Sequence, residues 1–156
     1  MSALALVLGI WLLPDVWTGG CEVDYKVTAT ARPFARAIPH ALHQITETTG
    51  IRFVPVRSGQ DLTFTMYPRQ NIPVNGVPQG VIGLYDPQEH TVWLTDVAPL
   101  LRRYLAMHET MHFLGAAHSE SGNVMDGGPV ATQSFGADDL ATLNYIAIQN
   151  GCDPNE

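Results

Sequence analysis

The chain has 156 residues, enough for one domain with a real core and too few for two. Hydrophobic residues make up 46% and charged residues only 15%, a balance that excludes a disordered chain. The formal net charge is −7 and the eight Lys and Arg are scattered, which excludes a nucleic-acid partner, since phosphate binding needs a clustered basic face.

In chain order, Ala3 to Leu13 is an almost unbroken apolar run of the length of an export-signal core, too short to span a bilayer comfortably. Pro14 and Thr18-Gly19-Gly20 supply a break and small residues for processing, although no positive charge precedes the run. The expectation is a removable signal over residues 1–20 and a single domain over 21–156, secreted and with no membrane span in the mature part. The alternatives are an apolar N-terminal segment packed on the domain and a membrane anchor. Two cysteines, Cys21 and Cys152, would tie the ends together in an oxidising compartment, adding on the order of 4 kcal/mol in the chain-entropy model. Cys21 also has a rival role as a lipidated residue.

From Glu22 onward, Val23 to Thr30 alternates as a first strand. Pro33 opens a helical pattern through Ile38, Ala41, Leu42 and Ile45 to a stop at Gly50, with Pro39 as a second possible start or a kink. Ile51 to Val56 and Leu62 to Tyr67 read as strands, residues 69–80 as a surface loop, and Gly80 to Tyr85 with Thr91 to Thr95 as two short strands around a turn. Thr95 or Asp96 can cap the next helix, with Pro99 in its first turn. Leu101, Tyr104, Leu105, His108, Met111, His112 and Gly115 keep to one face of it. A last helix follows Asp139, with Leu140, Leu143, Tyr145, Ile146 and Ile148 as its apolar surface.

The segment 108–118 carries the chemistry. His108 and His112 stand at i and i+4 on a helix, so both imidazoles project from one face and can share one zinc ion. Glu109 is not spaced as a ligand but can act as the base for a water at the metal. Gly115 ends the helix, and the chain can swing His118 back as a third ligand. Three neutral imidazoles leave a fourth position open, as in catalytic rather than structural zinc sites. With average residue frequencies, such a pattern arises by chance in on the order of one in a hundred thousand chains of this length.

This pattern, HExxHxxGxxH at His108, Glu109, His112, Gly115 and His118 with Met125 beyond it, resembles the metzincin zinc metallopeptidases. Ser119 after the third histidine looks like the matrixin branch. The resemblance implies a mixed α/β (α+β) catalytic domain: a small twisted mixed sheet, an active-site helix and a C-terminal helix. It implies a methionine-bearing turn at Met125, an apolar floor to the metal site that does not bind the ion. It also implies that Gly80, Val81, Ile82, Gly83 and Leu84 form an edge strand on which an extended peptide pairs, an interaction that draws on unpaired backbone groups. Some metzincins carry a tyrosine two residues after the methionine. Here that position is Gly127. No inhibitory propeptide is recognisable.

The activity implied is zinc-dependent endopeptidase action on peptide or protein substrates by a monomer. The alternatives are a zinc-containing binding module and a zinc hydrolase of cell-wall peptides. Calcium is a further possible cofactor, with Asp86, Asp96, Asp126, Asp138 and Asp139 as potential oxygens and no twelve-residue calcium loop. His40 and His43 lack a third ligand and read as a solvated face. His90 lies in a turn.

Overall fold

Along residues 22–27 and 62–67 the side chains alternate between the interior and the other face of a sheet, with Val23, Tyr25, Leu62 and Phe64 inward. In the computed structural model, which describes residues 10–67, 80–119, 123–126 and 134–156, these become β1 (Glu22–Val27) and β3 (Leu62–Tyr67). They belong to a five-stranded sheet with β2 (Arg52–Pro55), β4 (Gly83–Asp86) and β5 (Thr91–Thr95), in the order β2-β1-β3-β5-β4. β2, β1, β3 and β5 run parallel, with Tyr25 opposite Leu62 and Phe64 opposite Val92. β4 is antiparallel to β5, Gly83 opposite Leu94, so it closes one side of the sheet as an edge. The architecture is mixed α/β, as expected.

Three α-helices pack with this sheet: α1 (Ala37–Thr49), α2 (Pro99–Leu114) and α3 (Ala137–Asn150). α1 buries Ile38, Ala41, Leu42 and Ile45, the i, i+3, i+4, i+7 stripe of an amphipathic helix, and stops at Gly50 with φ 74°. α2 is buried almost all round from Tyr104 to Met111. Phe64, Ile45, Leu94, Leu105, Met107, Met111 and Leu114 join the two helices and the sheet in one core, where each large apolar side chain contributes about 1.5–3 kcal/mol by leaving water.

Several boundaries differ from the sequence reading. The first strand ends at Val27, and Ala29–Phe34 forms a 3-10 helix that buries Ala31 and Phe34. Pro33 lies inside that turn and α1 begins only at Ala37, which leaves Pro39 in its first turn, where the missing N–H breaks no helical bond. Neither Thr95 nor Asp96 caps α2: its N-cap is Ala98, with Pro99 following. The Thr95 hydroxyl donates instead to Ile82 O, at 2.7 Å, and Asp96 pairs with Arg102 at 3.6 Å. In α3, Leu143 and Ile146 are buried, whereas Leu140 (39% exposed) and Ile148 (72% exposed) face outward. The expected loop at 69–80 lies outside the described residues except Gly80, as does Gly127.

The ends of the described chain are fastened together. Cys21 and Cys152 form a disulfide, with Cα atoms 5.5 Å apart. The Cys21 sulfur is therefore not available for a lipid. Ahead of it, residues 11–17 run as a strap along the end of α2: Leu13 N donates to Gly115 O, Trp17 N to Leu114 O and Ala117 N to Trp11 O, at 2.6–3.0 Å. Trp11 N also donates to the Thr142 hydroxyl, and the Trp17 ring lies 5.2 Å from that of Phe113.

Candidate metal centre and cleft

α2 carries His108 and His112 one turn apart, and the chain reverses once the helix ends at Leu114. Gly115 caps the helix with φ 109°, a left-handed conformation that a side chain would strain. A Cβ there would also meet the Cα of Val16 at 2.7 Å, so the strap closes over the glycine. The reversal brings His118 back: its Nε2 lies 3.0 Å from His108 Nε2 and 3.1 Å from His112 Nε2.

The opposite ring nitrogens decide what this convergence means. His108 Nδ1 is 2.6 Å from Val124 O and His112 Nδ1 is 2.8 Å from Ala116 O. Each carbonyl can only accept, so each Nδ1 carries the proton and each Nε2 is left with a bare lone pair. Lone pairs repel at about 3 Å unless a cation lies between them. Tetrahedral zinc with nitrogen bonds of about 2.0–2.1 Å places its ligand nitrogens about 3.3 Å apart, close to the spacing observed. Among the described residues this is the one group of three or more His, Cys, Asp or Glu able to hold a metal.

Burial sets the protonation of the site. His112 is pushed down to about 3, first by desolvation and then by the neighbouring His108, and His108 is lowered mainly by desolvation. Both are thus neutral and ready to ligate near neutral pH. Glu109 is 4% exposed, and desolvation pushes its carboxyl up to about 8, against a hydrogen bond from the Tyr85 backbone N–H. That bond exists because β4 crosses close to α2. A Cβ on Gly83 would fall 2.8 Å from Glu109 Oε1 and 2.5 Å from Leu105 Cδ1, so glycine is the residue that lets the strand approach.

The second layer comes from α3. Asp139, 1% exposed, accepts from the backbone N–H groups of Asn123, Val124, Met125 and Gly136 at 2.8–3.1 Å. It clamps the turn whose Val124 carbonyl orients His108. Met125 is buried in this turn, and its carbonyl accepts from Ser119 N at 2.9 Å. In the sequence Asp139 marks the approach to the last helix and offers a possible calcium oxygen. Its acidic side chain three residues past the Gly136 N-cap is the signature that marks its actual use. The other candidate calcium carboxylates do not assemble: Asp86 accepts from Gln88 N, Asp96 faces Arg102, and no calcium-type cluster forms among the described residues. His43 pairs with Glu47 across one turn of α1, and His90 turns the β4–β5 hairpin with φ 48°.

The three histidines and Glu109 open into a cleft of about 860 Å³, within the range of small-molecule and peptide sites. Gly80, Val81, Ile82, Gly83 and Leu84 all line it. So do Leu13, Pro14 and Asp15 of the strap, Tyr104, and Asp126.

No protein-family model matches the sequence, and no curated protein does. Among solved structures the chain is similar to one of myroilysin, with 14% identity over 74% of this chain and 58% of that one and a TM-score of 0.49. It is similar to a second myroilysin crystal structure with 14% identity, 67% and 47% coverage and a TM-score of 0.46. The chain spans about half the length of the solved structures it matches. The functional reading therefore stands on the site's own geometry.

Proposed function

We propose that the chain is a zinc-dependent endopeptidase of metzincin type. The observation that carries this reading is the convergence of three Nε2 atoms, two of them with Nδ1 tied to backbone carbonyls, beside a buried carboxylate in an open cleft. His108, His112 and His118 would hold the ion. Bound zinc supplies Lewis acidity, which draws charge from a scissile carbonyl and makes water nucleophilic near neutral pH.

The chain's own residues do the rest. Glu109 takes the proton from the attacking water on its carboxylate and delivers it to the leaving amine. The Tyr85 N–H holds that carboxylate in place, and the positive charge of a held ion counters its raised pKa. The edge strand is shorter than the sequence suggested: Gly83 and Leu84, in β4, offer edge backbone for an extended peptide, and Gly80, Val81 and Ile82 line the cleft ahead of it. Ser119, hydrogen-bonded to the Met125 carbonyl, is the residue on which a matrixin-like assignment rests. The Cys21–Cys152 bond favours an oxidising, extracellular setting.

A binding module would have no use for Glu109 at that position. The test is a mixed-peptide library with wild type and Glu109→Ala, each with and without chelator, alongside zinc analysis. Cleavage by zinc-loaded wild type, abolished by chelator and lowered by orders of magnitude in a Glu109→Ala protein that keeps one zinc, supports the proposal. Normal cleavage by Glu109→Ala would falsify it.

A further inference from the structure

The strap is a part of the cleft wall that no motif announces. Residues 11–17 are held by three backbone hydrogen bonds to the turn between α2 and His118, by Trp11 N on the Thr142 hydroxyl, and by the Trp17 ring on Phe113. Asn150 fastens its far end: the side-chain amide donates to Trp17 O and accepts from Gly20 N, at 2.9 and 3.0 Å. The disulfide at Cys21 follows at once. This segment is built into the domain rather than laid on it.

Its chemistry facing the cleft is specific. Leu13 and Pro14 are apolar, and Asp15 is exposed on the cleft wall. Asp15 sits at the Tyr85 end of β4, where its charge helps to raise the phenol pKa, behind burial and Asp86. Among the described residues, the charged side chains lining the cleft are Asp15, Glu109 and Asp126, with no lysine or arginine. Glu109 is buried and committed to the reaction, which leaves Asp15 and Asp126 as acidic contacts outside the catalytic group; of these two, Asp15 is the one whose charge acts on Tyr85.

We propose that residues 11–17 are a permanent part of the domain whose Leu13, Pro14 and Asp15 wall the cleft, and that Asp15 selects peptide substrates carrying a basic side chain at the Tyr85 end of β4. The proposal rests on the peptidase reading above and names the substrate class of the same site. An opposite charge at the wall attracts the side chain and a like charge repels it, so lysine against glutamate at one peptide position doubles the contrast. The wall also places a short apolar surface, Leu13 and Pro14, next to that charge.

The probe is a fluorescent octapeptide scanned with Lys or Glu at each position, with binding read by anisotropy on zinc-loaded Glu109→Ala protein, so that no turnover is needed. At one position Lys should bind about tenfold more tightly than Glu, and the ratio should shrink with added salt. Asp15→Asn should abolish most of this preference and Asp15→Lys invert it, with zinc content and thermal midpoint unchanged. Equal Lys-to-Glu ratios in Asp15→Asn and its parent at every position overturn the proposal, as does an intact mass showing that the exported chain starts at Cys21. Cleavage by wild type is read separately. Cleavage without an Asp15-dependent preference removes the specificity wall and keeps the peptidase, whereas preference without cleavage does the reverse. A zinc-loaded protein that binds no peptide of the set overturns both.

Discussion

Glu109 and His112 make opposite demands on the metal-free fold. The buried carboxyl holds its proton up to about 8 rather than the ordinary 4.5, so the folded state binds a proton that the unfolded chain has released, and stability falls as pH rises through that window. The buried imidazole is depressed to about 3 from 6.5, so the unfolded chain gains a proton the folded state refuses, and stability falls as pH drops below 6.5. Thermal unfolding in the presence of chelator should therefore show a maximum between these two declines. Glu109→Gln should flatten the alkaline side and leave the acidic side in place. Asp139 is the other decisive residue. Asp139→Ala strips four backbone N–H groups of their acceptor, which should cost about 2–4 kcal/mol in denaturant titrations. Because the clamped turn orients His108, competition with a chromophoric chelator should also show zinc affinity lowered about 10–100-fold.

Among the elements, those with strong internal periodicity were legible before folding. The stripe of α1, the alternation of β3 and the glycine that ends α2 are each set within one or two turns of chain. Boundaries that depend on distant partners were not: Thr95 lies three residues ahead of the Ala98 N-cap and gives its hydroxyl to Ile82, and α3 turns Ile148 outward. The strap was read as the tail of a removable signal or as a packed segment. Residues 10–20 pack in this structure because the carbonyls of Leu114 and Gly115, left over where α2 ends, find donors there. Expression of a chain beginning at Cys21 should consequently give a lower thermal midpoint and weaker zinc binding than one beginning at residue 10, since the turn carrying His118 loses its support. Equal zinc affinities in a competition assay would remove the strap from the metal site.

For the molecule as a whole, the disulfide joins residues 131 apart, nearly the entire described chain. Its loss should cost about 4–5 kcal/mol in the chain-entropy model, read as a lower denaturation midpoint of the Cys21→Ser/Cys152→Ser variant under oxidising conditions. The convergence of the three candidate ligands was readable in the sequence, because helix geometry and one glycine confine His108, His112 and His118, with Glu109 beside them, within eleven residues, where spacing alone fixes direction. What only the tertiary structure decided is everything that reaches this site from far along the chain. Tyr85 comes to Glu109 because Gly83 lets β4 approach α2, Asp139 comes to the His108 turn from α3, and Leu13 to Asp15 come to the cleft along the end of α2. Such contacts are fixed by packing complementarity and by unpaired backbone groups seeking partners, neither of which leaves a periodic mark in the amino-acid order.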